Sequence, residues 1–446
     1  MPQKVLPIDK YQATTRKSRA LYDEACQYLE GGTTRTSIYY QPYPFYTERG
    51  EGCWIYDVDG NKRLDFLNNY SSLIHGHAYP KITEAVGRQL GKGTALGAPT
   101  EHEAKLAQII MERIPSLEKM RFCSSGSEAV MFCLRLAKAF TGRNKIVKSE
   151  GGFHGSHEYV QISIKPPLDK AGSLQSPVSL PCSAGISSHV LSEVIVMPFN
   201  DSEAVEQIIE NNKDDIAAVI VEPIQGAAGV IPARGDFLKR LRAITEKYGI
   251  VLIFDEIMTI RTAWGGAQEF YGVTPDLTTM GKIISGGFPL AAFGGRGDIM
   301  ALLDPRKGEP PIPHSGTFNA MPVCVVAGIA AMEDLTPPMY EKLNMLADRL
   351  CTEANNLFRE LRIRAQVTQG GSLFNIHFTD REILNSRDVA HADHNLLREF
   401  FFSLLNRGIY IAPRGYGCIS TPMTENEIDM LLETLRSSLI EDLKLV

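Results

Sequence analysis

Between about Lys119 and Gly295, short β-rich runs alternate with helical patterns, and that rhythm restricts the chain to βαβ units closing a mainly parallel sheet. The runs are MRFC, KIVK, EVIVMP, AAVIVEP, IVLIFDE and AAFGG. The clearest helix between them is expected from Asp236 to Tyr248, where Phe237, Leu241, Ile244 and Tyr248 share one face and Gly249 supplies the C′ position. At 446 residues the chain is long for one domain, so a large α/β unit with a smaller companion is expected.

The rest of the chain reads differently. After Pro338, amphipathic helices run through Leu343, Leu346, Leu350, Leu357 and Leu361, with the strand-like SLFNIHF among them. The last helix starts on a capping box, Thr424 with Glu427, ahead of Ile428, Leu431, Leu432, Leu435 and Leu439. Near the N-terminus a helix is expected from about Thr14 to Glu30, then a hairpin with a DG turn at Asp59–Gly60. This predicts a small α+β domain drawn from both chain ends, residues 1–75 and 331–446, around a large domain at 76–330.

Charge and composition exclude several functions. A net charge of −6 with no basic block argues against nucleic acid. The longest near-apolar stretch, Met321 to Met332, falls short of the roughly 20 residues of a membrane span, and the leading MPQKVLPIDKYQ lacks an apolar run. Eight cysteines lie scattered without C-x-x-C or metal spacing, which reads as free thiols in the cytoplasm and no metal site.

Three segments carry chemistry. Ser124-Ser125-Gly126-Ser127 joins a strand to a helix, either as a plain cap or as a phosphate cradle of backbone N–H groups and hydroxyls at a positive dipole end. Asp255 closes a buried strand at the edge where open α/β sheets bind ligands; it either caps the next turn or pairs with a cationic ring nitrogen. Lys282 sits among Met280, Ile283 and Ile284; it is either a structural lysine snorkelling to solvent or, as Gly286 and Gly287 favour by leaving room for a cofactor, an amine stripped of water for Schiff-base chemistry.

Taken together, SSGSEA (Ser124 to Ala129), GGFHG (Gly151 to Gly155), VEPIQGAAG (Val221 to Gly229), FDEIMT (Phe254 to Thr259), PDLTTMGKIISGGFP (Pro275 to Pro289) and HSGTFN (His314 to Asn319) resemble the class III pyridoxal-phosphate (PLP) aminotransferases of fold type I. The resemblance covers nearly the whole chain, in order. It implies a seven-stranded-type sheet, Lys282 as the Schiff-base lysine and Asp255 on the pyridine nitrogen. It implies that Ser125, Gly126 and Ser127 hold the phosphate, that Phe153 and Ile257 bracket the ring, and that Glu222 lies nearby, though a sheet-end cap would also account for it. Thr317 would reach the phosphate of a second subunit's cofactor, which implies a homodimer.

Within that family, Met258 and Ala227 stand where ornithine and 4-aminobutyrate enzymes carry Gln and usually Glu. The chain instead resembles glutamate-1-semialdehyde aminomutase and, more fully at its ends, the aromatic β-amino acid aminotransferases. The latter resemblance implies that Arg35 and Arg414 bind substrate carboxylates and that Tyr39 lines an aromatic pocket, with an oxo acid such as 2-oxoglutarate or pyruvate as acceptor. Aminomutase chemistry, or transamination of simple amines, are the alternatives.

Overall fold

The computed structural model describes residues 6–445; Met1–Val5, part of the leading segment read above, and Val446 lie outside the described residues. The chain divides into two compact units, one built from residues 80–341 with 382–390, the other from 1–79, 342–381 and 391–446. Both chain ends build the smaller unit. The short piece 382–390, expected with the C-terminal part, is counted instead in the larger unit.

The larger unit is built on seven strands: β1 (Lys119–Cys123), β2 (Lys145–Ser149), β3 (Val194–Met197), β4 (Ile216–Val221), β5 (Val251–Asp255), β6 (Leu277–Met280) and β7 (Ala291–Gly295). Their order is β1-β7-β6-β5-β4-β2-β3, and β7 alone runs antiparallel to its neighbours. Helices on both faces explain why β4 and β5 are buried along their whole length and read as unbroken apolar runs. Burying each of Ile253 and Phe254 contributes about 1.5–3 kcal/mol.

Three helices of this unit matter below: α1 (Gly126–Thr141), α2 (Phe237–Lys247) and α3 (Pro322–Asp334). A fourth, the short α4 (Ser386–Ala390), belongs to the inserted piece. The helix expected over 236–248 is α2, and Gly249 follows it at φ 60°. The near-apolar Met321–Met332 stretch is mostly α3, buried among its neighbours, and no described helix is long and apolar enough to cross a membrane.

In the smaller unit, Thr47–Glu51, Trp54–Asp57 and Lys62–Asp65 form the expected antiparallel meander, and Ile409–Tyr410 adds to it in parallel. A second sheet pairs Gln366–Gly370, Leu373–His377 and Tyr416–Cys418. The Thr424/Glu427 capping box is present.

The N-terminal helix differs from expectation. It begins at Pro7, breaks at Thr15 and resumes over Arg16–Ala25. Thr15 is buried, donates through Oγ1 to the Tyr11 carbonyl at 2.6 Å and shares a hydrogen bond with the Tyr43 hydroxyl, and its own backbone is not helical. The orphan donors that restart the helix go to Asp59: the Lys17 and Ser18 N–H groups reach its carboxylate at 2.6 and 3.0 Å. A cap supplied from about forty residues away leaves no local signature.

Candidate active site

Four parallel strands end on one edge of the large sheet, and each delivers a residue singled out from sequence. β1 leads through Ser125 into α1, β4 into Glu222, β5 ends on Asp255, and β6 runs through Gly281 to Lys282. β2 ends beside them and leads into Gly151–His154.

Asp255 is buried with its carboxylate bonded on both sides. The Thr279 hydroxyl donates to Oδ1 at 3.0 Å, the Ile257 N–H reaches the same atom at 3.2 Å, and His154 Nδ1 lies 2.7 Å from Oδ2. Thr279 is the register partner of Asp255 across the β5–β6 ladder. Burial lowers the His154 pKa, against the opposing pull of Asp255. A neutral imidazole here donates from Nδ1 to the carboxylate, and its buried Nε2 has no partner among the described residues. Neither His154 nor Thr279 was selected from sequence, although His154 stands inside the GGFHG string.

Glu222 accepts the Phe153 N–H at 2.9 Å and the Gly226 N–H at 3.2 Å, joining the loops that follow β2 and β4. Burial first, and then the Asp255 charge, push its carboxyl up to about 8. Glu222 thus caps two loops, near enough to Asp255 to feel its charge. Phe153 stands 45% exposed at the rim.

Ser125 is the N-cap of α1, accepting the Glu128 N–H, and Ser127 Oγ accepts the Ser156 N–H at 3.0 Å. The N–H groups of Gly126 and Ser127, as first-turn donors, have no acceptor within their helix. Ile257 explains the small residues around it: a Cβ on Gly126 or on Gly281 would press into its Cδ1 at 3.0 or 2.9 Å. Lys282 itself takes φ 51° and is followed by the buried pair Ile283 and Ile284. Thr317 is exposed, on a segment tied back through Asn319, whose Oδ1 accepts the Ser124 hydroxyl at 3.3 Å.

These residues fit PLP: a bonded carboxylate for a ring nitrogen, first-turn N–H donors for a phosphate, an exposed aromatic face for a ring, and an amine next to buried apolar residues. No described group of three or more His, Cys, Asp or Glu side chains is placed to hold a metal, and no disulfide joins the eight cysteines.

The substrate candidates lie in the smaller unit. Arg35 donates from Nη1 to Asn69 Oδ1 at 2.7 Å, and its guanidinium stands 5.8 Å from the Tyr70 ring centre. Arg414 lies 5.3 Å from the same ring and 5.2 Å from that of Tyr416, which stacks on Tyr70. Neither arginine pairs with a carboxylate among the described residues, and Arg414 Nε is buried without a hydrogen bond. Tyr70 sits in a left-handed turn, Asn68 to Ser71, with φ between 46° and 69° and no glycine; each such residue costs roughly 1–2 kcal/mol, a strain of the kind that collects at functional sites. Tyr39 packs against Tyr22 instead, and Tyr40 and Tyr43 join the core around Tyr11. The ring that both arginines approach is Tyr70, a position that no sequence pattern marked.

Residues 37–439 match the family model for aminotransferase class-III. An omega-transaminase from Sphaerobacter thermophilus shares 45% identity at a TM-score of 0.93, over 95% of this chain and 97% of that one. A β-phenylalanine aminotransferase from Variovorax paradoxus shares 36% at 0.88, over 97% and 96%. Among curated relatives, the glutamate-1-semialdehyde 2,1-aminomutase of Methanocaldococcus jannaschii is 39% identical over 92% of this chain and 94% of its own length.

Proposed function

The chain belongs to the class III aminotransferases, and from that premise we propose that it moves the amino group of a β-amino acid, aromatic or otherwise bulky, to an α-oxo acid such as 2-oxoglutarate or pyruvate. The cofactor is PLP, which when bound supplies the electron sink that lets the carbon bearing the amine give up a proton. Lys282 would hold it through its ε-amine, and the same amine, when free, would take that proton from the substrate carbon. Asp255, aimed by His154 and Thr279, holds the ring nitrogen. Ser125, Gly126 and Ser127 take the phosphate, and Phe153 and Ile257 bracket the ring. Thr317, exposed in a single chain, serves the cofactor phosphate of a second copy, so the working form is a homodimer. Its setting is the cytoplasm, in keeping with eight cysteines that form no disulfide.

One observation carries the choice of substrate: two guanidiniums approach Tyr70, and no protein carboxylate answers either among the described residues. Arg414 is half-buried with a dry Nε, so leaving it without a counter-ion is costly, whereas Arg35 stands exposed; the planar fork of either fits a carboxylate with two parallel bonds. Two such forks let a β-amino acid and a dicarboxylate acceptor use the enzyme in turn.

A second reading, the aminomutase, is favoured by curated relatives 37–40% identical to the chain. It needs no separate acceptor. The test mixes holoenzyme with α-, β- and ω-amines, follows loss of the yellow cofactor band, and then asks whether turnover requires an oxo acid. Bleaching by β-amino acids with turnover strictly dependent on added oxo acid is expected. Isomerisation of glutamate-1-semialdehyde with no acceptor present would replace the transaminase with the aminomutase.

A further inference from the structure

The loop that carries Phe153 and His154 starts at Glu150, and Glu150 is held by a residue that neither the motifs nor the chemistry above employs. Arg387, on α4 of the inserted piece, forks onto its carboxylate: Nε donates to Oε2 at 2.6 Å and Nη2 to Oε1 at 3.0 Å. The remaining donors go to main-chain oxygens, Nη1 to Gly172 at 2.8 Å and Nη2 to Ala171 at 3.0 Å. The pair is nearly dry, with side-chain exposures of 15% and 3%. Next to it, Gly151 has φ 82° and no space for a side chain, because Ser386 lies where its Cβ would stand. The Glu150 carbonyl accepts Gln225 Nε2 at 2.9 Å, which links the same point to the loop after β4.

The shelf is thus assembled from three stretches: 149–154, 222–226 and 386–387. Only the last comes from the far part of the sequence. From Glu150 the chain needs three residues to reach Phe153, whose N–H is on Glu222, and a fourth to reach His154, whose Nδ1 is on Asp255. We propose that Arg387 is a positioning residue for the cofactor: by fixing Glu150 it sets the height of the Phe153 ring and the aim of His154 at Asp255. Half-exposed Phe153 has little packing of its own to hold it there. Without Arg387, Glu150 becomes a buried carboxylate stripped of its ion-pair partner, a state relieved by moving the loop.

The experiment measures PLP affinity and the circular dichroism of the bound-cofactor band in purified Arg387→Ala, Arg387→Lys and Glu150→Gln proteins, alongside the melting temperature of each apoprotein. A bound group commonly loses about tenfold in affinity when its outer supports are removed, and that loss with a weakened cofactor band is expected for Arg387→Ala. Arg387→Lys should fall between, since an ammonium cannot fork. If Arg387→Ala does not fold, the two milder variants are judged by the same criterion. Lowered apoprotein melting with PLP affinity and cofactor band unchanged would overturn the proposal, because Arg387 would then be a scaffold residue only.

Discussion

The two candidate binding regions treat charge in opposite ways. On the large sheet's edge every carboxylate already has partners: Asp255 has three, Glu222 has two main-chain donors, and Glu150 is forked by Arg387. In the smaller unit, Arg35 holds one amide oxygen and Arg414 lies against aromatic faces. A resident cofactor can be met by groups whose bonds are made in advance, so the shelf is preorganised and rigid. A substrate carboxylate must come and go, and a cation paired with a protein acid would have to break that pair at every turnover. On the function proposed above, the difference would separate a site that keeps a cofactor from one that exchanges substrates.

The comparison breaks most visibly at Asp255. Replacing it with Ala removes the charge on which the shelf is centred, and the single-turnover rate of amine transfer should fall roughly a thousandfold or more, with PLP content checked by mass. A loss below about tenfold would mean that the pre-bonded carboxylate is not where the chemistry is supported.

Arg414→Met probes the other side. Removing one partner of a charge pair costs about 2–5 kcal/mol, so kcat/KM for a dicarboxylate acceptor should fall at least about thirtyfold, while an amine donor without a carboxylate is unaffected. Melting temperature should hold or rise, since the variant removes a half-buried cation whose Nε has no hydrogen bond. A marked loss of stability would show that the protein, not the substrate, supplies its partner.

The smallest effect is on pH dependence. Burial raises Glu222 to about 8 from 4.5, so its protonated form suits the fold. Its contribution to apoprotein stability is intact below about pH 4.5 and is lost as pH rises through 8. Glu256, raised by burial to about 7, gives a similar fall that ends sooner. Glu222→Gln should therefore flatten the upper part of the decline, by no more than about 2–3 kcal/mol, in denaturant titrations of the apoprotein. An unchanged slope between pH 7 and 8 would show that Glu222 is not held protonated.

Much of this was legible before any coordinates. Unbroken apolar runs marked β4 and β5 as strands covered on both faces, and Asp255 at the end of one of them had to reach the ligand-binding edge. The Ser125–Ser127 turn was legible as a strand-to-helix junction, and Lys282 from its apolar neighbours and the Gly286–Gly287 pair. The pieces that escaped share one property: their partners are distant in sequence. Asp59 caps a helix about forty residues earlier, Thr279 meets Asp255 through strand register, and Arg387 reaches Glu150 across 237 residues.

By itself, the sequence determined which segments become strands and helices, and which chemical groups stand at strand ends, because apolar period and capping act between neighbours along the chain. Tertiary structure alone decided who partners whom: His154 for Asp255, Arg387 for Glu150, Tyr70 rather than Tyr39 beside the arginines. The reason is that burial removes water from a polar group, and its replacement must come from whichever residue the closed fold brings within about 3 Å, however far away it is encoded.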